Sequence, residues 1–165
     1  WAYRVIRYGV IAAVVSVVIA LAASSCIADA PPLYATHHGI KVYGLAYPKT
    51  EVELATHAVL LAANASDRKN QFDHCSIEFV KEPFKCSISR TGLCAGIHWP
   101  ADCRLRVSRF GDCVADSATV HELVHLIAWE TGEGRVEHTD QKWFEDQDSV
   151  ESRAGQVAAD YCSGR

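Results

Sequence analysis

The sequence predicts an α+β domain in which a small mixed or antiparallel sheet packs on a central helix. One helix is expected before the sheet and another at the C-terminal end of the chain. Segments with apolar residues at every second position, typical of half-buried strands, occupy the middle of the chain. Segments with apolar residues three and four positions apart, typical of amphipathic helices, lie on both sides of them.

The N-terminal part of this domain is predicted to contain a strand followed by a helix. Residues 40–47 are apolar and rich in strand-forming side chains, and Pro48 ends the segment. Residues 50–65 then carry valine, leucine and alanine at helical spacing. We therefore place the N-terminal helix in that segment.

The middle of the chain contains three predicted strands. Residues 75–81 and 104–110 alternate between apolar and polar side chains. Residues 84–90 follow the first of these segments across a short Glu-Pro turn, and we expect the two to pair. Residues 92–102 have no regular pattern.

Two helices complete the predicted domain. The first begins near Asp116 and is stopped by Gly132 and Gly134. The second is expected over residues 140–161, where aromatic and aliphatic side chains form one apolar side.

The first of these two helices carries the sequence His121-Glu122-Leu123-Val124-His125. Positions i and i+4 of a helix share a face, so both imidazoles can reach the same metal ion. Glu122 lies beside that face and can reach a water bound to the metal. The pattern therefore predicts a metal site with Glu122 as its catalytic base.

A catalytic zinc site usually has three protein ligands and one open position. His138 is the favoured third ligand, because it follows His125 after 12 residues and a glycine turn can bring the chain back over the helix end. Glu145 is an alternative, since it lies 20 positions after His125. Glu133 and Asp140 also stay open, as does a site without a third protein ligand.

The site resembles that of the SprT-like zincins. The resemblance covers residues 118–144 and rests on His121-Glu122-x-x-His125, Trp129, His138 and Trp143. It implies a zincin-like metallopeptidase domain over residues 40–165, with Zn²⁺ bound by the three histidines. The substrate does not carry over, because SprT-like enzymes act on proteins bound to DNA. An acidic chain whose first 26 residues predict export does not suit that role.

The resemblance also implies a mechanism of peptide hydrolysis. Zinc would lower the pKa of its bound water to about 7, and Glu122 would take the proton as the water attacks a peptide carbonyl. Glu122 would then pass this proton to the leaving amine. Residues 104–109, just before the motif helix, are a candidate sheet edge for an extended substrate. Arg135 and Tyr161 are candidates for the group that stabilises the oxyanion, and neither is preferred.

The first 26 residues predict export. Arg4 and Arg7 precede an apolar run over residues 8–23, and small residues follow it, which is typical of a secretory signal. Ala23-Ser24-Ser25-Cys26 resembles a bacterial lipobox, so Cys26 is the expected site of lipidation. An uncleaved N-terminal anchor is the alternative. Residues 27–39 are then expected to be a tether that leads into the domain.

Cysteine usage fits an exported chain. Removing Cys26 leaves an even number, and these are Cys75, Cys86, Cys94, Cys103, Cys113 and Cys162. An even set in an exported protein predicts up to three disulfides, whose pairing the sequence leaves open. A cysteine-rich zinc site is the competing interpretation, but the sequence contains no C-x-x-C pair.

The charge of the chain bears on its partners. The net charge is −4 at pH 7, and all 20 acidic residues follow Cys26. A mildly acidic surface argues against nucleic acid, which requires a basic patch. The expected partners are a protein or peptide substrate and a membrane, reached through lipidated Cys26 or an N-terminal anchor. The sequence indicates no oligomeric state.

Three functions are compatible with these patterns. The favoured one is a membrane-anchored zinc peptidase that faces the periplasm or the cell exterior. The second is a metal-binding but non-catalytic, disulfide-stabilised surface lipoprotein. In the third, the protein is a purely structural lipoprotein and the H-E-x-x-H sequence is accidental.

Overall fold

The computed structural model describes residues 30–67, 71–109, 111–116 and 118–164. The predicted signal segment and lipobox, residues 1–26, lie outside the described residues, as do residues 27–29 of the predicted tether. Pro32–Arg165 forms one compact unit. Within the described ranges, no helix combines the length and the apolar character that crossing a membrane requires.

Three α-helices and a small mixed sheet build this unit, which confirms the α+β class. The helices are α1 (Lys49–Ala62), α2 (Thr119–Glu130) and α3 (Val150–Ser163). Helix α1 contacts both α2 and α3, and α2 also contacts the sheet. The motif helix α2 therefore lies at the centre of the domain.

The sheet has five strands, which are β1 (Tyr34–Ala35), β2 (Lys41–Gly44), β3 (Ser76–Val80), β6 (Gly96–Trp99) and β7 (Arg104–Ser108). Their order across the sheet is β1-β2-β3-β7-β6. Strands β2, β3 and β7 run parallel, whereas β1 and β6 pair antiparallel at the two edges. The edge strand β1 lies within the segment predicted as a tether.

One face of the sheet packs on the helices. Side chains that alternate along the three parallel strands are fully or almost fully buried there, and these are Val42, Ile77, Phe79, Leu105 and Val107. The opposite face carries polar side chains, among them an ion pair between Arg106 Nε and Glu78 Oε2 at 3.1 Å. The helices therefore cover only one side of the sheet.

The expected pairing of residues 84–90 with residues 75–81 is wrong. Strand β3 has β2 and β7 as its two neighbours, so neither of its edges is free. Residues 84 and 85 instead form β4 (Phe84–Lys85), which pairs with β5 (Leu93–Cys94) in a separate hairpin. The disulfide Cys86–Cys94 closes this hairpin over a short loop.

All six remaining cysteines are paired. The disulfides are Cys75–Cys103, Cys86–Cys94 and Cys113–Cys162. The first joins the starts of the parallel strands β3 and β7, and the third joins the segment before α2 to the end of α3. Three disulfides in a small domain are compatible with an extracellular protein.

The predicted final helix over residues 140–161 is broken into two pieces. A π-helical turn, Gln141–Glu145, begins where the Asp140 side chain accepts a hydrogen bond from Trp143 N at 3.2 Å. Helix α3 begins separately, where Ser149 Oγ accepts from Ser152 N at 3.2 Å. Two capping side chains thus start two helical segments within one apolar pattern.

Candidate metal centre

Helix α2 places His121 and His125 side by side. Its apolar residues, among them Leu123 and Ile127, are fully buried and fix which face of the helix turns outward. The two histidines lie one turn apart and are half-buried, with ring centroids separated by 5.0 Å. Both imidazoles therefore open toward the same space.

His138 reaches this space from the loop that follows α2. Gly132 and Gly134 adopt positive φ angles of 91° and 73°, which let the chain reverse after the helix. His138 Nε2 then lies 3.1 Å from Nε2 of His121 and 3.2 Å from Nε2 of His125. The turn thus brings a third imidazole onto the two that α2 carries.

The donor set fits a bound metal ion. His121 Nδ1 lies 2.8 Å from Glu151 Oε1, so the ring proton belongs on Nδ1, and the Nε2 lone pair faces the other histidines. Burial, together with nearby His121 and His138, lowers the pKa of His125 to about 3, so this ring is neutral and has a free lone pair. Converging imidazole lone pairs are the usual nitrogen ligands of a divalent cation.

A second group of potential ligands, formed by His74, Cys75, Cys103 and Glu130, does not fit a metal. Its two sulfurs are joined in a disulfide and cannot act as thiolates. The remaining pair is a hydrogen bond of 3.0 Å between His74 Nε2 and Glu130 Oε2. In the described part of the chain, the histidine triplet is therefore the group that can hold an ion.

The alternative third ligands lie outside the histidine triplet. The Glu133 carboxylate pairs with Lys142 at 2.5 Å, and Asp140 caps the π-helical turn. Glu145 is exposed at the end of that turn. The structure brings together His121, His125 and His138, and it does not bring the other three candidates to them.

Glu122 is buried beneath the edge strand β6, with 6% of its surface exposed. A Cβ atom built on Gly96 would collide with Glu122 Oε1, so the backbone of β6 lies directly against the carboxyl group. Burial raises the pKa of Glu122 to about 7, although the charge of His121 opposes this shift. A carboxyl group with such a pKa can both accept and release a proton near neutrality.

Glu151 on α3 was not found by sequence reasoning, yet it holds His121. Burial acts to lower the pKa of His121, but the hydrogen bond to Glu151 and the charges of Glu122 and Glu151 outweigh it and raise the pKa. Carboxylates that bind the outer nitrogen of a histidine fix its tautomer and orientation. One weak signal for it was present in the sequence, namely that Glu151 lies two positions after Ser149, in the first turn of a helix.

Phe144 forms the floor of the site. Its ring centroid lies 5.1, 4.6 and 5.2 Å from those of His121, His125 and His138 respectively. Trp143 beside it is buried at 2% exposure and belongs to the core, whereas Trp129 is 40% exposed. The apolar ring therefore restricts the orientations that the three imidazoles can adopt.

The other sequence-predicted site residues lie elsewhere. Residues 104–109 were expected to form a sheet edge, but β7 is an interior strand between β3 and β6. Tyr161 lines a different pocket, together with His38 and His57. Arg135 is exposed and pairs with Glu137 at 3.3 Å. Neither candidate for oxyanion stabilisation is thus placed among the three histidines.

Comparison of this chain with protein-family models, with curated proteins and with solved structures finds no match. A fold alone does not specify an activity, and the evidence for function therefore lies in the residues of the site. That site combines three converging imidazoles, a buried carboxyl group beside them and the edge strand β6 above the carboxyl group.

Proposed function

We propose that this protein is an exported zinc-dependent peptidase of the zincin type. The observation that carries the proposal is the convergence of three histidine Nε2 atoms beside the buried carboxyl group of Glu122. An accidental H-E-x-x-H sequence would give two neighbouring histidines, but it would not recruit a third from a loop. The proposal includes a zincin-like fold and a zinc ion bound by the three histidines.

Zinc is the metal that suits this donor set best. Ligands at 2.0–2.1 Å in a tetrahedral arrangement lie about 3.3 Å from one another. The separations of 3.1 and 3.2 Å between His138 Nε2 and the two α2 imidazoles are close to that value. Three imidazoles also leave one position open, as catalytic zinc sites do.

Glu122 is the proposed general base. When bound, zinc supplies a water of pKa about 7 and polarises a carbonyl group. The buried carboxylate of Glu122 takes a proton on an Oε atom and releases it to the nitrogen of the leaving amine. Its pKa of about 7 suits both steps, because neither form of the carboxyl group is strongly favoured.

The edge strand β6 is the proposed binding site for the substrate. Ser108 N donates to Ala95 O at 2.6 Å, and in this register the hydrogen bonds of Ile97 and Trp99 point toward β7. The backbone groups of Gly96 and His98 then point away from the sheet. An extended peptide can pair with them by strand addition, and this places it above Glu122.

Export and anchoring complete the proposal. Three disulfides suit an oxidising compartment, and the chain begins with a segment that resembles a lipoprotein signal. Lipidation of Cys26 would hold the domain at a membrane that faces the periplasm or the cell exterior. The substrates would then be proteins or peptides outside the cytoplasm.

The proposed zinc site can be tested through metal content. We expect one zinc ion per wild-type chain, and much weaker binding after His138→Ala because a three-histidine site loses a ligand. The matched control is His74→Ala, which removes an exposed histidine from the second ligand group. Zinc content is measured by atomic absorption after dialysis, and affinity by competition with a chromogenic chelator. A wild-type chain that binds no zinc would overturn the proposed function.

The contact between Glu151 and His121 predicts a second change in zinc affinity. Replacing Glu151 with Ala is expected to weaken zinc binding about 10- to 100-fold, because His121 loses the carboxylate that fixes its Nδ1 proton. The control is Glu145→Ala, which removes the same charge from an exposed position nearby. Equal zinc affinities of the two variants would show that Glu151 does not support the ligand.

A further inference from the structure

His98 occupies the edge strand above the metal centre. It pairs with Leu105 of β7, just as Gly96 pairs with Val107. Both partners are fully buried beneath the helices, and paired residues of neighbouring strands turn to the same face. The side chain of His98 therefore faces the helical layer, two residues along the strand from the point where Gly96 contacts Glu122.

The imidazole of His98 has an unsatisfied nitrogen. Its Nε2 atom is buried and has no hydrogen-bond partner among the residues that the structure describes. Buried polar atoms in native proteins nearly always have a partner, and exceptions commonly mark the place of a ligand or a water. The ring belongs to a strand edge at which the proposed substrate binds, so a ligand there can supply the missing partner.

His98 is also close to the three histidines without being one of them. His98 lies two residues along the strand from Gly96, which contacts Glu122, and its charge is among the influences that lower the pKa of His125. It does not belong to the group of ligand atoms that includes His121, His125 and His138. His98 therefore lies on the edge strand beside the site, where a peptide that pairs with β6 would pass.

We propose that His98 is a further catalytic residue, whose Nε2–H donates a hydrogen bond to the carbonyl oxygen of the scissile peptide bond. This inference rests on the proposed peptidase function. The donor stabilises the negative charge that develops on that oxygen during attack, and no proton leaves His98. A donor held by a strand and by burial is oriented before the substrate arrives, which is the condition for strong stabilisation of the oxyanion. His98 thereby fills the role for which the sequence offered only Arg135 and Tyr161.

The experiment compares the wild-type full chain with His98→Ala and His98→Gln, each loaded with zinc. His57→Ala is the matched control, because His57 is exposed on α1 and lies in the pocket with Tyr161. The substrate is unfolded, fluorescently labelled casein. A second readout is independent of hydrolysis: the affinity for acetohydroxamate, a small ligand that offers a carbonyl oxygen, followed by the visible spectrum of the cobalt-substituted protein.

We expect His98→Ala to reduce kcat about 100- to 1,000-fold with little change in KM. Acetohydroxamate should bind about tenfold more weakly, because its oxygen loses a hydrogen bond. Zinc content should stay at the wild-type value, since His98 does not belong to the histidine triplet. The thermal unfolding midpoint of each variant is measured to show that the half-buried ring is replaced without unfolding the domain. His98→Gln, which keeps an N–H donor, should recover part of both losses.

The failure of this inference differs from the failure of the proposed function. The role of His98 would be overturned if wild type and His98→Ala hydrolyse casein equally well and bind acetohydroxamate with equal affinity. The proposed peptidase function would not be affected by that result. A wild type that binds zinc but hydrolyses no casein would instead count against the peptidase. In that case the binding of acetohydroxamate tests His98 alone. Equal affinities of wild type and His98→Ala would overturn the proposed hydrogen bond from His98, and a tenfold weaker affinity of the variant would support it.

Discussion

Replacing Glu122 with Gln is expected to reduce hydrolysis about 100- to 10,000-fold and to leave zinc bound. The amide has nearly the same shape as the carboxyl group, so it keeps the close contact with the backbone of Gly96. It cannot accept a proton, and the reaction therefore loses its general base. Initial rates on labelled casein and zinc content, measured on the same samples, check both parts of the prediction.

The same substitution separates the peptidase from a metal-binding lipoprotein without activity. Glu137→Gln is the control, because it removes an equal charge from an exposed side chain in the loop that carries His138. If the peptidase proposal is right, Glu137→Gln stays active and Glu122→Gln does not. Any hydrolysis that persists unchanged in Glu122→Gln would come from another site or from a contaminant.

Removal of the disulfide Cys113–Cys162 is expected to lower the free energy of unfolding by about 4 kcal/mol, since it closes a loop of 49 residues. Removal of Cys86–Cys94, with a sequence separation of 8, should cost only about 2.5 kcal/mol. Both pairs are replaced by alanine. Denaturant unfolding followed by far-ultraviolet circular dichroism measures the two values.

The two disulfides make a matched comparison because Cys113 and Cys94 have similar burial, 7% and 8%. The long-range bridge also holds α3, which carries Glu151, against the segment before α2. Its loss should therefore weaken zinc binding as well, whereas loss of the hairpin bridge should not. Equal destabilisation by the two removals would contradict the loop-length argument.

The clustering of the three histidines was predictable because it depends mainly on local spacing in the sequence. His121 and His125 are four residues apart, and any helix through them brings their side chains together. His138 could be proposed because glycines at 132 and 134 stop the helix and permit a reversal. The structure gives the distances of 3.1 and 3.2 Å that spacing alone could not provide.

The supporting residues could not be predicted in the same way. Glu151 and His98 come from α3 and β6, and neither has a fixed sequence distance from the motif. Alternation of apolar and polar side chains indicates that one face of a strand is buried, but it does not determine which strands lie on either side of it. For this reason the pattern alone predicts a sheet edge at residues 104–109, although β7 is interior and β6 forms the edge.

The order of the strands in the sheet could not be predicted from the sequence for a related reason. Residues 84–90 follow β3 closely in the chain, and sequence proximity favours a hairpin. The disulfide Cys75–Cys103 instead joins the starts of β3 and β7, which then run parallel. Cysteine pairing depends on the three-dimensional structure, and the six cysteines did not reveal it in advance.

The shortness of β6 limits the kind of chain that the proposed enzyme could cut. The strand has four residues, and two of them present backbone groups outward. A peptide that pairs with it must be fully extended over roughly 13 Å, a shape that helices and tight turns do not offer. Compact domains cross-linked by disulfides, including this protein itself, would resist such an enzyme. Resistance to autolysis and a preference for unfolded exported chains would then follow from the length of one strand.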